Sequence, residues 1–150
     1  LGDDTQKKLR SRIASGGNII RNPVDAAHTF QDIDFLGEVL RDIMADPAIH
    51  MLIVSLSLDW LHDMKQGTQV EKVTEFLAGP ARDCMNGKPF VVAWRSYRND
   101  PRIPEVGQQV EARILESGIP VYRSLDQAAH SLGRWARYHL FQRNRASRKL

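Results

Sequence analysis

The sequence predicts a domain of the α/β class, in which parallel strands alternate with helices. Short apolar segments of strand type alternate along the chain with longer segments whose apolar residues recur at helical spacing. The most apolar segment, residues 51–57, is a nearly continuous apolar run with β-branched members, as is typical of a strand buried on both faces of a parallel sheet. A length of 150 residues with 42% apolar content suits one compact domain and excludes a disordered chain.

The predicted order is one helix followed by four strand–helix units. The predicted helices cover residues 5–14, 32–45, 69–85 and 106–117, and a last helix begins at 124–126. The predicted strands cover residues 19–24, 51–57, 89–94 and 119–122. Prolines disfavour helix at the residue before them, so Asp46-Pro47 should end the second helix and Gly79-Pro80 should kink or divide the third.

The net charge of +3 is unevenly distributed. Residues 127–150 hold six basic and no acidic side chains, whereas the other 126 residues hold 15 basic and 18 acidic ones. Interleaved basic and aromatic residues can bind nucleic acid. We expect Trp135, Tyr138 and Phe141 to dock the last helix on the sheet instead, which disfavours nucleic acid as a partner.

The cysteine content and the hydropathy of the chain limit the class of protein to which it can belong. The single cysteine, Cys84, excludes an internal disulfide and an all-cysteine metal site, and predicts a buried thiol in a reducing, cytoplasmic setting. No apolar run approaches the roughly 18–20 residues of a membrane span, so we expect no membrane partner. The chain begins at Leu1 without a methionine, which suggests the cut edge of a longer protein with an upstream region.

Candidate functional residues lie where the predicted strands end, because ligands of α/β sheets bind beyond the carboxyl ends of the strands. These segments are residues 22–31, 57–68 and 95–104. The candidates are Asn22, Asp25, His28, Ser57, Asp59, Trp60, Arg95 and Ser96. An aspartate beside His28 or His62 can orient an imidazole for proton transfer. More often, however, such an aspartate only caps a turn and such a histidine is an exposed loop residue. The sequence shows no glycine cluster for phosphate and no third ligand that would complete a metal site, and we assign no catalytic residue.

Three stretches, taken in order, resemble a known family. They are Asn22-Pro23-Val24-Asp25, residues 45–54, and Gly87-Lys88-Pro89 followed by residues 116–122 and 126–129. Over about residues 9–140 the chain resembles the CoA-ligase domain of NDP-forming acyl-CoA synthetases, the superfamily that includes succinyl-CoA synthetase. The resemblance implies a three-layer flavodoxin-like fold of about four parallel strands with helices on both faces. It divides the chain into an N-terminal helix and linker (1–17), the CoA-ligase-like domain (18–140) and a basic tail (141–150).

The resemblance implies an accessory role in a multidomain enzyme that interconverts acid, CoA and NTP with acyl-CoA, NDP and phosphate. The domain would pack against the phosphohistidine domain, with other domains or subunits as partners, and oligomer formation stays open. It would bind no cofactor and would not be catalytic alone, because CoA, ATP or GTP and Mg belong to the full enzyme. Residues 57–67 match the place where succinyl-CoA synthetase offers a helix N-terminus to its phosphohistidine. Here Asp59 and Asp63 stand in that segment, which has a glycine pair in succinyl-CoA synthetase, and carboxylates repel a phosphate.

Three alternatives remain. The changed segment 57–67 favours a diverged protein-interaction or regulatory domain. A receiver-like phosphoacceptor would use Asp59, but the sequence offers only Asp25 and Arg123 where an acidic pair and a lysine are needed. Nucleic-acid binding through the basic tail would show an affinity that falls steeply with salt.

Overall fold

The fold is that of a computed structural model, which describes residues 1–13, 16–98 and 100–147. Three predictions fall partly outside these residues: the end of the first helix at 14–15, position 99 of the third loop, and positions 148–150 of the tail. The helices are α1 (Asp3–Arg12), α2 (Ile33–Ala45), α3 (Leu58–Asp63), α4 (Thr68–Ala78), α5 (Ala81–Cys84), α6 (Ile103–Glu116) and α7 (Leu125–Ser147). The strands are β1 (Ile19–Ile20), β2 (Val24–Asp25), β3 (Leu52–Ser57), β4 (Phe90–Arg95) and β5 (Val121–Tyr122), and two short 3-10 turns cover Ala27–Gln31 and Met64–Gly67.

A parallel sheet in the order β3-β4-β5 confirms the α/β class. Strand β4 is central, and its first four residues are buried, as a strand covered on both faces should be. Strand β3 lies at an edge, so alternate residues such as Ile53 and Ser55 are only half-buried. The prediction that segment 51–57 is buried on both faces therefore applies to β4 rather than to β3.

The first predicted strand does not join this sheet. Residues 19–25 form the antiparallel pair β1–β2, in which Ile19 lies opposite Asp25 and Ile20 opposite Val24. Proline lacks the N–H group that a ladder needs, and Asn22-Pro23 favours a turn at the middle of the segment. Within the described residues the parallel sheet accordingly has three strands, whereas about four were expected.

The two faces of the sheet pack into different clusters. Leu52, Val54 and Leu56 of β3 point into the large core, together with Phe90 and Val92 of β4. The other face carries Val91 and Ala93, which pack against Ala128 and Leu132 of α7. Helix α7 therefore covers the second face with small and aliphatic side chains.

Helix α7 differs from the prediction in which residues dock it. Trp135, Tyr138 and Phe141 are 44%, 57% and 61% exposed, so the expectation that they pack on the sheet is wrong. Phe141 lies nine residues after the buried Leu132, which is about two and a half turns and places it on the opposite side of the helix. No helix in the described part of the chain is long and apolar enough to cross a membrane.

The third predicted helix and the segment after β3 are two further places where the structure tests the sequence prediction. Helices α4 and α5 are separate and meet at Gly79-Pro80, as predicted. Residues 57–68 were expected to be a long loop, but they form α3 and a 3-10 turn. The short helix exists because Leu58 and Leu61, three residues apart, are both buried in the large core.

Strand β4 and helix α6 approach closely at one glycine. A Cβ atom added to Gly107 would lie 2.6 Å from Cη2 and 2.9 Å from Cζ2 of the Trp94 ring. Glycine at this position lets the helix pack directly against the indole. This contact fixes the end of β4, from which the third loop leaves.

We predict that Gly107→Ala lowers the free energy of unfolding by about 1–3 kcal/mol, because overpacking forces the ring or the helix to shift. Gly133→Ala in α7 is the matched control, since the nearest atom to its added Cβ is Nη1 of Arg137 at 3.8 Å. The control should be neutral or should stabilise by roughly 0.5–1 kcal/mol, because alanine restricts the unfolded helix segment. Urea denaturation of both variants measures this, and equal effects at the two positions would contradict the close packing.

Candidate functional site

The candidate site lies where β3 and β4 end. Ser57, the last residue of β3, pairs in register with Arg95, the last residue of β4. Because the strands are parallel, the segments that leave them begin side by side. The second predicted loop begins directly as helix α3, and the third predicted loop runs alongside it.

Asp59 joins the two segments through its buried carboxylate. Only 4% of the residue's surface is exposed. Its Oδ2 accepts a hydrogen bond from the backbone N–H of Tyr97 at 2.7 Å, and its Oδ1 accepts one from the N–H of Arg98 at 3.3 Å. The Ser96 hydroxyl lies 3.0 Å from Oδ1, so both oxygens are engaged by the loop after β4.

The donors around Asp59 form an anion-binding arrangement. Successive backbone N–H groups that converge on one point make a concave site for an anion, and here Tyr97 and Arg98 supply them. The Ser96 hydroxyl is a third donor, although its oxygen also lies 3.1 Å from the carbonyl oxygen of Arg98 and its single hydrogen serves one acceptor at a time. The anion is the chain's own carboxylate, positioned by the buried neighbours of Asp59 in α3.

The loop after β4 also carries two ion pairs. The Arg98 guanidinium forms an ion pair with Asp63 at the end of α3. Asp100 accepts hydrogen bonds from Nε of Arg102 at 3.0 Å, from Nη2 at 2.6 Å and from its backbone N–H at 2.9 Å. These bonds hold the pKa of the Asp100 carboxyl well below its usual range.

A cavity of about 430 Å³ lies beside the same loop. Its lining is Trp94, Ser96, Arg98, Asp100, Pro101, Ile103 and Pro104. The indole Nε1 of Trp94 is buried and has no hydrogen-bond partner among the described residues. The charged groups of the lining are already paired, so the apolar ring and prolines dominate the surface it offers.

The exposed rim of the site is aromatic and cationic. The ring of Tyr97 is part of a residue that is 64% exposed, and the Arg95 guanidinium lies over it at 4.5 Å from the ring centroid. A cation over an aromatic face is an attractive pair even at the surface. The predicted candidate Arg95 therefore supports Tyr97, and the two present one flat exposed patch.

The candidates from the first segment lie apart from this network. Asn22 and Asp25 are exposed at the β1–β2 pair, and His28 is half-buried with its ring centroid 6.4 Å from that of Phe35. In the described residues no hydrogen bond or ion pair joins these three to Asp59 or Ser96. The Asp25–His28 pair suggested by the sequence does not form there either.

A different contact holds the first segment near the second. The Lys65 ammonium donates to the carbonyl oxygen of Gln31 at 3.0 Å, and the buried Gln69 side-chain amide donates to the carbonyl oxygen of Phe30. The 3-10 turn at Ala27–Gln31 thus rests on the start of α4. The first segment therefore lies beside the second, although it does not leave a strand of the parallel sheet and the side chains in contact are not the predicted candidates.

The remaining two candidates, Ser57 and Trp60, are both half-buried. Ser57 is half-buried at the end of β3, and its side chain makes no capping hydrogen bond to α3. Trp60 is half-buried and packs against the large core. Of the eight candidates, only Asp59 and Ser96 are joined directly by a hydrogen bond in the described residues.

The contributions of Tyr97 and Arg98 were missed by sequence reasoning. Both act through backbone N–H groups, which every non-proline residue has, so side-chain chemistry gives no signal for them. The available signal was positional: an aspartate two residues after one parallel strand and a serine directly after its neighbour. Residues at matched register positions of adjacent parallel strands emerge together, and this pairing could have been predicted.

The geometry of the site argues against the receiver-like alternative. Both oxygens of Asp59 are engaged and the residue is buried, so the carboxylate is not presented to a phosphoryl donor. Within the described ranges no three His, Cys, Asp or Glu side chains are grouped closely enough to hold a metal ion.

Cys84 is buried, and desolvation raises the pKa of its thiol, which keeps the sulfur in the unreactive protonated form.

Comparison with known proteins yields no match: no family profile matches the chain, and neither does any curated protein or solved structure.

We predict that Asp59→Asn destabilises the fold by about 1–3 kcal/mol, because the buried amide places an NH₂ group against backbone N–H donors that lose their acceptor. Asp63→Asn, which breaks the more exposed pair with Arg98, should cost less than about 1 kcal/mol. Denaturant unfolding of both variants, with amide hydrogen exchange at Tyr97, provides the measurement. A smaller loss in Asp59→Asn than in Asp63→Asn would show that the carboxylate does not organise the loop.

Proposed function

We propose that the chain is an accessory domain of an NDP-forming acyl-CoA synthetase-like protein and that it docks other domains through the edge formed by its strand-end segments. The docking edge comprises the exposed residues Asp63, Arg95, Tyr97 and Arg98. In this proposal it packs against a phosphohistidine domain and supports the interconversion of acid, CoA and NTP with acyl-CoA, NDP and phosphate. The domain contributes a surface, and the reacting groups belong to the rest of the enzyme.

The observation that carries the proposal is the filled anion site at Asp59. The backbone donors of Tyr97 and Arg98 are satisfied by an internal carboxylate, so they are not available to an incoming phosphate. A fixed loop whose polar groups are satisfied internally costs little entropy when a partner binds. This combination suits protein docking better than it suits phosphate binding.

The resemblance supplies the identity of the partner. The α/β class and the parallel order of the central strands are compatible with a flavodoxin-like domain of about four strands in three layers, which is the fold we propose for the intact unit. Asn22-Pro23-Val24-Asp25 precedes the first long helix of the domain, α2, and Gly118-Ile119-Pro120 precedes β5, and these are the positions at which the resemblance was noted. CoA, ATP or GTP and Mg would be bound by the other domains.

A second candidate, a diverged interaction or regulatory domain, is favoured by Asp59 and Asp63. These acids occupy the segment that has a glycine pair in succinyl-CoA synthetase, where a helix N-terminus faces the phosphohistidine. A domain that has lost this contact can keep the docking edge while serving a partner without phosphoryl chemistry. The two candidates differ in whether acyl-CoA formation depends on the domain.

The test replaces the corresponding domain of an NDP-forming acyl-CoA synthetase with the full 150-residue chain. We expect the hybrid to form acyl-CoA, and we expect Tyr97→Asp to abolish this by placing a charge on the docking edge. Tyr138→Asp, the same substitution at an exposed tyrosine of α7, is the matched control and should leave the activity unchanged.

Two results would contradict the proposal. One is a hybrid that still binds CoA in its own CoA-binding domain, and is therefore folded, but makes no acyl-CoA; that result favours the diverged interaction domain. The other is binding of CoA or Mg-ATP to the isolated chain with a dissociation constant in the micromolar range, measured by titration calorimetry. Such binding would mean that the domain carries a ligand site of its own.

A further inference from the structure

We propose that the solvent-facing side of α7 binds single-stranded nucleic acid, a function independent of the docking edge. The outer face of α7 comprises Arg134, Arg137, Tyr138, Phe141 and Arg145. In this proposal the arginines contact phosphates, and the two aromatic rings stack on bases.

The outer face is a single helical face. Its five members stand at positions i, i+3, i+4, i+7 and i+11, the spacing at which side chains share one side of an α-helix. All five are exposed. Ala128 and Leu132 dock the opposite side on the sheet, so the outer face points away from the body of the domain.

The charge of this face has no internal counterpart. The sequence contains no aspartate or glutamate from residue 127 onward. In the described part of the chain none of the three arginines forms a salt bridge. Favourable interaction with the helix macrodipole is confined to the last turn, which accounts for Arg145 but not for Arg134 and Arg137, more than two turns from the end of the helix.

Exposed aromatic rings are the second, independent component. Tyr138 is 57% exposed and Phe141 is 61% exposed, although both are large enough to stabilise a core if they were buried. They lie next to each other on the same face, between Arg137 and Arg145. Proteins that bind single strands combine cationic side chains that follow the backbone with aromatic side chains on which successive bases stack.

Other anionic partners fit the pattern less well. A helix that lies on a membrane separates an apolar face from a charged face. On α7 the arginines and aromatics share one face, while Trp135 and Leu140 lie on other sides of the helix. A duplex keeps its bases stacked and unavailable to the rings. Pairing with α7 of a second copy would bring arginines against arginines.

The test measures fluorescence anisotropy of a short labelled oligouridylate or oligothymidylate titrated with the full chain. We expect a dissociation constant on the order of micromolar at low salt. With three phosphate contacts, the affinity should fall roughly 20-fold between about 50 and 200 mM salt. The uridylate and thymidylate probes distinguish RNA from DNA as the preferred strand.

Variants separate the two kinds of contact. Tyr138→Ala and Phe141→Ala should each weaken binding by about 5-fold or more through loss of stacking, and Tyr138→Phe should retain it. Glutamine at Arg134, Arg137 and Arg145 together should abolish most binding and flatten the salt dependence. Since all five residues are exposed, the variants should keep the melting temperature of the parent chain.

The matched control changes the same net charge elsewhere. Glutamine at the exposed Lys7, Arg21 and Lys72 together should leave the affinity nearly unchanged. Equal weakening by the control would overturn the proposal, because it would mean that only net charge matters. Binding to vesicles of anionic phospholipid without binding to either oligonucleotide would overturn it in favour of a membrane surface. Neither result bears on acyl-CoA formation by the hybrid enzyme.

Discussion

The site edge of this domain depends on one buried carboxylate. A carboxylate removed from water must be compensated by hydrogen bonds or by opposite charge, because the cost of leaving it unpaired is large. Asp59 meets that requirement with the N–H groups of Tyr97 and Arg98 and the hydroxyl of Ser96. The same bonds also satisfy hydrogen-bond donors of the loop that leaves β4. Helix α3 and the loop after β4 are thereby held in one arrangement.

This constraint links the fold to the proposed role. Leu58 and Leu61 bury α3 against the core, and Trp94 packs on Gly107 to fix the end of β4. The carboxylate joins these two rigid parts and takes up the donors that an anion would use. What remains for a partner is the exposed rim around Tyr97 and Arg95. The domain is therefore better suited to present a shaped surface than to hold a phosphorylated substrate.

The sequence predicted the elements whose stability depends on their own residues. The apolar runs of β3 and β4, the periodic face of α2 and the break at Gly79-Pro80 required no tertiary information. Helix α3 was missed because six residues are too few to show periodicity, and only burial by the core explains why Leu58 and Leu61 form a helix. The β1–β2 pair was missed because Ile19-Ile20 resembles any short strand until its partner is known.

The candidate site was predictable in place but only partly in content. Topology puts functional groups at the carboxyl ends of parallel strands, and Asp59 and Ser96 meet there as that rule suggests. The backbone N–H donors could not be predicted, because residue type does not indicate them. Asn22, Asp25 and His28 were predicted as site residues for their side-chain chemistry, but none of them contacts Asp59 or Ser96 in the described residues. Aromatic residues at helical spacing do not by themselves show which side of a helix faces the sheet, and in α7 that side is formed by Ala128 and Leu132, which leaves Tyr138 and Phe141 exposed.

The most direct test of the central claim is an NMR measurement of scalar coupling across the hydrogen bond between Tyr97 and Asp59. In the full chain, labelled with ¹⁵N and ¹³C, we expect a coupling between the backbone nitrogen of Tyr97 and the carboxylate carbon of Asp59, together with slow exchange of the Tyr97 amide hydrogen. Absence of the coupling, with exchange of that hydrogen as fast as in an unstructured peptide, would contradict it.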